Sequence, residues 1–505
     1  MAQRPRRAQP SVLDVPDVPV LLVQYTSSPS NVVSFLQALP LALRSPALTG
    51  LLDLLTKYHD ATSDASYWPT PCLDNDIRQD RLTCMVAAIS IFNSICIGDL
   101  SLSKRWSASA DPTFRLPFCG FVATWAAKVT ATDIYYTTQT PEHHDELSRV
   151  LSRCTNLKDV RIPGQLDLLE AVTSPAHCVS DLHLTWYAFH ETTPSVVAPL
   201  QRWLASGHAR YLSLDGFDTR PLDTALARAL ASSPTLSSLR LFASDSVVSS
   251  LVAHGATLAS LTKLDAFVHS GELTPSLLSL LPLPTMKTLS VSAYATDLSN
   301  CLLEMLPHMS SLESLSLGHL ELCSTTAIRP SFAAPSTLRT LTLANIEVLE
   351  TNLNALFLWA TNSTHLESVT FESCAWIGSR MPCVIGTVQR CIGAGVRCMR
   401  FQDCEMDTRH VSALAEALHG TQARVAFELD LSENPFLIAG AQALLNALAT
   451  CMNVSIKLPR PLLSSLQDNG LPCIASARAA GVTIDVRGRD VSIGSRTTAT
   501  AWFGA

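Results

Sequence analysis

LESVTFESCAW, residues 366–376, places apolar side chains at Leu366, Val369 and Phe371 and a cysteine at Cys374, with polar residues between them. Counted from Leu366, the apolar residues are first, fourth and sixth, and the cysteine is ninth. The same offsets return thirty residues on in VRCMRFQDCEM, with Val396, Met399, Phe401 and Cys404. They return again in AFELDLSENPF, with Ala426, Leu429, Leu431 and Asn434. A recurring offset pattern is read before any single motif, because it dictates the architecture.

Across the whole chain the first positions fall at Leu157, Val179, Ala209, Leu236, Leu261, Met286, Leu312, Leu338, Leu366, Val396, Ala426, Cys451 and Gly481. These thirteen units span 324 residues in twelve steps, a mean period of 27 with individual steps of 22 to 30. The fourth residues, from Val160 to Ile484, are all apolar, and so are the sixth, down to the smallest, Ala266. The fifth residues, from Arg161 and His183 to Asp485, are all polar. Alternation over such short runs predicts strands with one buried and one wet face. Between them, residues 219–234, 295–309, 407–420 and 438–451 space their apolar side chains by three and four, which predicts helices. Breakers such as Pro234 and Gly420 end them. A lone strand and helix cannot bury their apolar faces, so the units are expected to stack around one continuous core.

LESLSLGHL (residues 312–320), LRTLTLANI (338–346) and FELDLSEN (427–434) resemble the leucine-rich repeat in its longer, ribonuclease-inhibitor-like form. The resemblance covers residues 128–490. It implies an α/β solenoid shaped as a horseshoe, with parallel strands on the concave face and helices on the convex face. In that family the ninth position turns the chain out of the strand. Cys374 and Cys404 are therefore expected to be buried, reduced and unligated, hydrogen-bonding backbone groups as asparagine does better at Asn434.

With 47% hydrophobic and only 16% charged residues among 505, the chain is expected to be ordered apart from its ends. The net charge of −7 and pI near 6.0 supply no drive towards nucleic acid. RPRRAQP, residues 4–10, reads as a solvated basic tail. No secretory signal is visible. CMVAAISIFNSICIG, residues 84–98, is the most lipid-like stretch, but it carries Ser90, Asn93 and Ser94. It is shorter than the roughly 20 residues a membrane span requires, so a buried strand or helix is expected there. The reading is an intracellular protein, cytoplasmic or nuclear, with no membrane and no nucleic-acid partner. Its fifteen cysteines are then expected to be mostly reduced.

Upstream of the repeats, residues 1–75 form a helical region: a helical pair over 15–40, broken at Ser27 to Ser30, and a third helix over 48–60. Its opening resembles a degenerate F-box, on Val15, Pro16, Asp17, Val20, Leu21 and Leu22. The departures are Val15 in place of leucine, the extra Pro19, and no match to the later Cys-Lys/Arg-Trp element. The resemblance implies that Pro16, Val20, Leu21 and Leu22 grip the adaptor of a cullin-RING ubiquitin ligase. The competing reading is that these helices only cap the first repeat. Residues 76–127 are read as an irregular link that holds degenerate repeats at most, with 106–118 a loop, and 491–505 as a C-terminal tail.

No catalytic constellation is legible. Glu142, His143, His144, Asp145 and Glu146 crowd together, yet adjacent histidines on a helix point about 100° apart. The thiols Cys374, Cys383, Cys391, Cys398 and Cys404 contain no Cys-x-x-Cys pair, so zinc has little support. Nucleotide-binding, zinc-protease and serine-hydrolase motifs are missing. The expectation is a chain with no catalytic residue, no metal and no cofactor. It would recognise a protein partner on its concave face, either as the substrate-recognition subunit of a ubiquitin ligase or as a scaffold or sensor. Arginine and aromatic residues dominate interface energetics. On that ground the contact candidates are Arg210, Tyr211, Arg240, Phe242, Phe267, Arg397 and Arg400, joined by Lys263, Glu367, Thr370 and Glu372 from the outward positions of the same strands. Between them lies a flatter field of hydroxyls: Ser290, Ser292, Ser314, Ser316, Thr340, Thr342 and Ser368.

Overall fold

A computed structural model describes residues 12–15, 17–57, 67–73, 77–98, 118–134, 141–186, 196–217, 224–255, 257–294, 297–323, 337–459, 462, 472–487 and 490–496. The chain forms two compact units, one of Met1–Pro221 with Ser233–Leu236 and one of Leu222–Ser232 with Ser237–Ala505.

In the first unit, β1 (Cys72–Leu73), β2 (Ile95–Ile97), β3 (Val129–Asp133), β4 (Asp159–Pro163), β5 (Asp181–Thr185) and β6 (Tyr211–Asp215) pair in that order, every pairing parallel. The sheet therefore begins well before the first unit legible in the sequence. Residues 84–98, expected as one buried element, divide between helix α4 (Gln79–Ala88) and β2, because the polar residues Ser90, Asn93 and Ser94 interrupt the apolar run. Most of the loop expected over 106–118 lies outside the described residues. Before the sheet stand helices α1 (Asp17–Gln24), α2 (Pro29–Ala38) and α3 (Pro46–Lys57). Ser28 caps α2, its hydroxyl accepting from the Asn31 amide at 3.4 Å. Val32, Leu36, Leu48, Leu51 and Leu54 are buried on the inner faces of α2 and α3.

In the second unit, β7 (Ser238–Phe242), β8 (Lys263–Val268), β9 (Thr288–Ala293), β10 (Ser314–Gly318), β12 (Thr340–Ala344), β14 (Ser368–Glu372), β15 (Cys398–Gln402), β16 (Gln422–Asp430) and β17 (Met452–Leu458) run parallel in sequence order. A separate pair, β11 (Glu321–Leu322) with β13 (Glu347–Val348), lies parallel just beyond β10 and β12. The register carries the repeat directly: Leu315 sits opposite Leu289 and Leu341, and Ser316 opposite Ser290 and Thr342. Each leucine row is buried and each hydroxyl row faces outward. Burial of a Leu, Val or Phe side chain stabilises by about 1.5–3 kcal/mol, and one such rung is added with every repeat.

Helices return the chain between strands, at Thr224–Ser232, Ser299–Met305, Thr408–Leu418 and Ile438–Leu448, inside the four segments where helical spacing predicts them. Asp407 starts one of them. Its carboxylate accepts from the amides of Arg409 (2.8 Å) and His410 (3.0 Å), while His410 Nδ1 accepts from the Asp407 amide (3.2 Å).

The parallel pattern ends at the last unit. β18 (Thr483–Arg487) does not join β17. Instead β19 (Asp490–Gly494) enters between them, antiparallel to both. The stretch expected to begin the tail at 491 is thus a paired strand, and Val491 and Ile493 are buried. The first-position role also shifts in two units. Ala426 is exposed because β16 starts early and bulges between Gln422 and Phe427, leaving Ala423 as the buried residue. Gly481 is exposed and Val482 takes its place inside.

The eighth position explains the ninth. Ala243, His319, Asn345, Ser373 and Asp403 all have φ between 45° and 53°. A left-handed residue breaks the in-out alternation of a strand, so the ninth side chain turns inward. The amide of the eighth residue meanwhile reaches the neighbouring repeat, as in Asn345 to the Glu372 carbonyl (2.7 Å) and Ser373 to the Gln402 carbonyl (2.8 Å).

Cys374 and Cys404 follow this turn, each 1% exposed. The Cys374 thiol donates to the carbonyls of Leu343 (3.4 Å) and Glu372 (3.3 Å), and that of Cys404 to Phe371 (3.5 Å) and Gln402 (3.3 Å). Burial pushes both thiols up, Cys404 to about 12. Cys374→Ser is expected to cost only about 1 kcal/mol, since a hydroxyl keeps these bonds, and the native thiol should resist labelling. Rapid reaction of Cys374 with a thiol reagent in the folded chain would contradict this.

Candidate functional site

In the second unit the outward side chains form rows across the sheet. The third-position row runs Thr288, Ser314, Thr340, Ser368, Cys398 and Glu428; the fifth-position row runs Asp265, Ser290, Ser316, Thr342, Thr370, Arg400 and Asp430. Strand neighbours stand about 4.8 Å apart, so hydroxyls in a row reach one another: Thr340 Oγ1 donates to Ser314 Oγ at 2.7 Å. The middle of the sheet is therefore a flat field of small polar groups.

Charged pairs flank this field. Arg240 pairs with Asp265 across β7 and β8 (3.3 Å), Lys287 with Glu313 (3.2 Å), and Arg339 with Glu367 (3.0 Å). At the far end Arg400 approaches Asp430 (3.8 Å), and Lys457 bridges Glu428 (2.8 Å) and Asp430 (3.9 Å). The bond to Glu428 holds the Lys457 ammonium above its usual range. Arg240, Arg400 and Glu367, expected as contact residues, are thus engaged with neighbouring strands. An exposed pair contributes about 0–1 kcal/mol, so a partner displaces it at little cost. Arg397 and Glu372 are exposed, Thr370 stands half-exposed opposite Arg400, and Lys263 is exposed at the start of β8.

Phe242 and Phe267 are opposite in register and stack at 4.7 Å with their planes 16° apart. Around Phe267 the structure adds three rings the sequence reading passed over: His269 at 5.3 Å, Tyr294 at 5.3 Å and His319 at 6.1 Å, all edge-on. Their signal was present in the chain. In the repeats of β8 and β9 the eighth residues are the apolar Val268 and Ala293, both buried, so the strand runs one residue further. The ninth residues, His269 and Tyr294, then point outward rather than inward, and Tyr294 is 52% exposed.

Arg210 and Tyr211 belong to the first unit. Arg210 is exposed, and the half-buried Tyr211 ring lies 4.6 Å from that of His183. Beside them Asp159 meets Arg161 (3.8 Å) and His183 (3.6 Å). Burial holds the Asp159 carboxyl above its usual range, opposed by the Arg161 charge. Of the adaptor candidates, Leu21 and Leu22 are 48% and 44% exposed and Val20 is half-buried. Pro16 lies outside the described residues.

Cys374, Cys383, Cys391 and Cys404 are buried and free, and burial raises each, Cys391 to about 12. Thiols held protonated in this way are poor nucleophiles and poor metal ligands. Among the described residues, no group of three or more His, Cys, Asp and Glu side chains is placed to hold a metal ion. The side chains of Glu142, His143 and His144 lie outside the described residues. Among the described residues, no helix is long and apolar enough to cross a membrane.

No protein-family model matches the chain, and no curated protein matches it. Among solved structures, the leucine-rich repeat-containing protein LegL7 from Legionella pneumophila is similar over 62% of this chain and 93% of its own, at 16% identity and a TM-score of 0.30. The crystal structure of the TLR13–ssRNA13 complex is similar over 72% of this chain and 42% of its own, at 12% identity and a TM-score of 0.27. Superpositions this loose carry no argument. The fold is an α/β leucine-rich-repeat stack on the strength of its own register, strand beside parallel strand with a helix between.

Proposed function

We propose that the chain is a non-catalytic recognition protein. Its outward strand rows hold a protein partner, and helices α1 to α3 present that partner to the adaptor of a cullin-RING ubiquitin ligase. The ligase half rests on where apolar surface is left uncovered. Of the ten large hydrophobic residues exposed among the described residues, Val12, Val15, Leu21, Leu22, Tyr25 and Leu41 fall within the first 41 positions. Single exposed hydrophobic residues are ordinary, but six within one short stretch of chain support an interaction surface there. Capping the first repeat needs one apolar face, and Leu48, Leu51 and Leu54 already supply it. The outward Leu21, Leu22 and Tyr25 serve no such purpose. The partner-binding half is supported by the flat hydroxyl field and the exchangeable ion pairs that flank it. A scaffold or sensor without a ligase link remains the second reading, favoured by the same buried inner face of α3.

The test is capture by the full chain, with purified ligase adaptor in one arm and cross-linked cellular partners in the other. Leu21→Asp with Leu22→Asp is expected to lose the adaptor at least tenfold and keep the partner. Arg397→Ala with Arg400→Ala is expected to do the reverse. An unaltered chain that does not retain the adaptor removes the ligase half. A partner list unchanged by both arginine substitutions removes the strand-face half.

A further inference from the structure

Beyond the strand ends of the second unit, like charges stand in register. Asp297 bridges Glu321 in parallel, and Glu321 pairs with Glu347 across β11 and β13. Three carboxylates thus occupy successive rungs about 4.8 Å apart, an arrangement that costs stability because like charges directly opposite repel. Burial and then the charges of Glu321, Glu347 and Asp297 push the nearby Cys323 thiol up, with Arg380 opposing more weakly.

The aromatic patch adjoins this ladder through the chain itself. Tyr294 precedes Asp297 by three residues and His319 precedes Glu321 by two. The Tyr294 and His319 rings lie 5.8 Å apart, and His319 Nδ1 meets Asn345 Nδ2 at 2.9 Å. Phe242 and Tyr294, at 38% and 52% exposed, keep much of their surface in water. Closeness along the chain therefore brings ring faces and a column of carboxylates to the same end of these repeats. Ring faces carry negative quadrupole charge and attract cations. Guanidinium suits both halves better than ammonium, since it stacks on rings, forks onto carboxylates and sheds water readily. Nucleic acid and anionic lipid are repelled by the same column.

We propose that the strand-end surface formed by Phe242, Phe267, Tyr294 and His319 with Asp297, Glu321 and Glu347 docks an arginine-rich segment of a protein partner. This rests on the recognition reading above and names the chemistry of the partner it accepts. The outward strand rows contribute a separate footprint.

Fluorescein-labelled octa-arginine, titrated with the full chain and followed by anisotropy, tests it, with octa-lysine and octa-glutamate as comparisons. Saturable binding is expected in the order octa-arginine, octa-lysine, octa-glutamate. Phe242→Ala with Tyr294→Ala, and separately Glu321→Gln with Glu347→Gln, should each weaken octa-arginine at least tenfold. Glu416→Gln with Glu433→Gln, which removes equal charge from exposed positions elsewhere in the second unit, should change it less than threefold. Thermal melts check the folding of each variant, and the Glu321 and Glu347 pair should melt no lower than the parent, because repulsion is relieved. The proposal is overturned if octa-arginine does not bind. It is also overturned if the aromatic variant binds as tightly as the parent, if the Glu416 and Glu433 variant loses as much as the strand-end one, or if the Glu321 and Glu347 pair melts lower. Retention of the cross-linked partner by the strand-end variants would then leave the recognition reading standing without this site.

Discussion

Phe371→Ala is expected to destabilise the repeats around it by about 3–5 kcal/mol. The sixth-position phenylalanine is fully buried, stacked on Phe401 at 5.2 Å with planes 4° apart and on Phe357 at 5.7 Å. Trp376 meets it edge-on at 6.1 Å. Truncation leaves a cavity between two repeats and one helix, and a close-packed interior refills it only in part. In a repeat array each unit is stabilised by its neighbours, so protection should fall in β12, β14 and β15 together. Amide hydrogen exchange of those strands measures the loss directly. A change under about 1 kcal/mol would show that the stack of rings does not hold the repeats together.

Asn434→Ala is expected to cost about 3 kcal/mol, several times the effect of Cys374→Ser at the equivalent place. Asn434 is 3% exposed. Its Oδ1 accepts from the amides of Cys404 and Met406, each at 3.2 Å, and its Nδ2 donates to the carbonyls of Phe401 (2.5 Å) and Leu431 (3.3 Å). Alanine leaves two buried amides and a carbonyl of the preceding repeat without these bonds, and each unsatisfied group costs about 1–3 kcal/mol. Asn434→Cys should recover part of the loss, because a thiol at this position serves in both preceding repeats. Urea denaturation followed at β15 and β16 checks the ranking. Equal stability of the alanine and cysteine variants would refute the capping role.

The strand register was legible because period-two alternation and a regular return distance are properties of the chain alone. Leu315, Leu341 and Val369 declare their burial by type and spacing, and the structure pairs them rung by rung. The helix within 407–420 was legible for a comparable local reason, the spacing of its apolar residues by three and four. The early strands were not. β1 spans two residues and β2 three, too short for alternation to show. The insertion of β19 between β17 and β18 was equally hidden, since strand pairing order depends on which edge is vacant and not on either strand's composition.

The candidate surface divides in the same way. Residue type picked out Arg240, Phe267, Glu367 and Arg400 as outward groups. Which of them meet an opposite charge depends on neighbours 25 to 30 residues away, such as Asp265 for Arg240 and Asp430 for Arg400. The left-handed turn at the eighth position sends Cys374 inward, and the continued strand at Val268 and Ala293 sends His269 and Tyr294 outward. The amino-acid pattern by itself therefore settles the repeat, its period and the inward side of each strand, because burial follows from side-chain chemistry at fixed spacing. Folding adds the lateral relations: Phe267 among four rings, and three carboxylates in adjacent rungs. Those arise only when separate repeats are stacked, since each contributes one side chain to a row that no single stretch of chain contains.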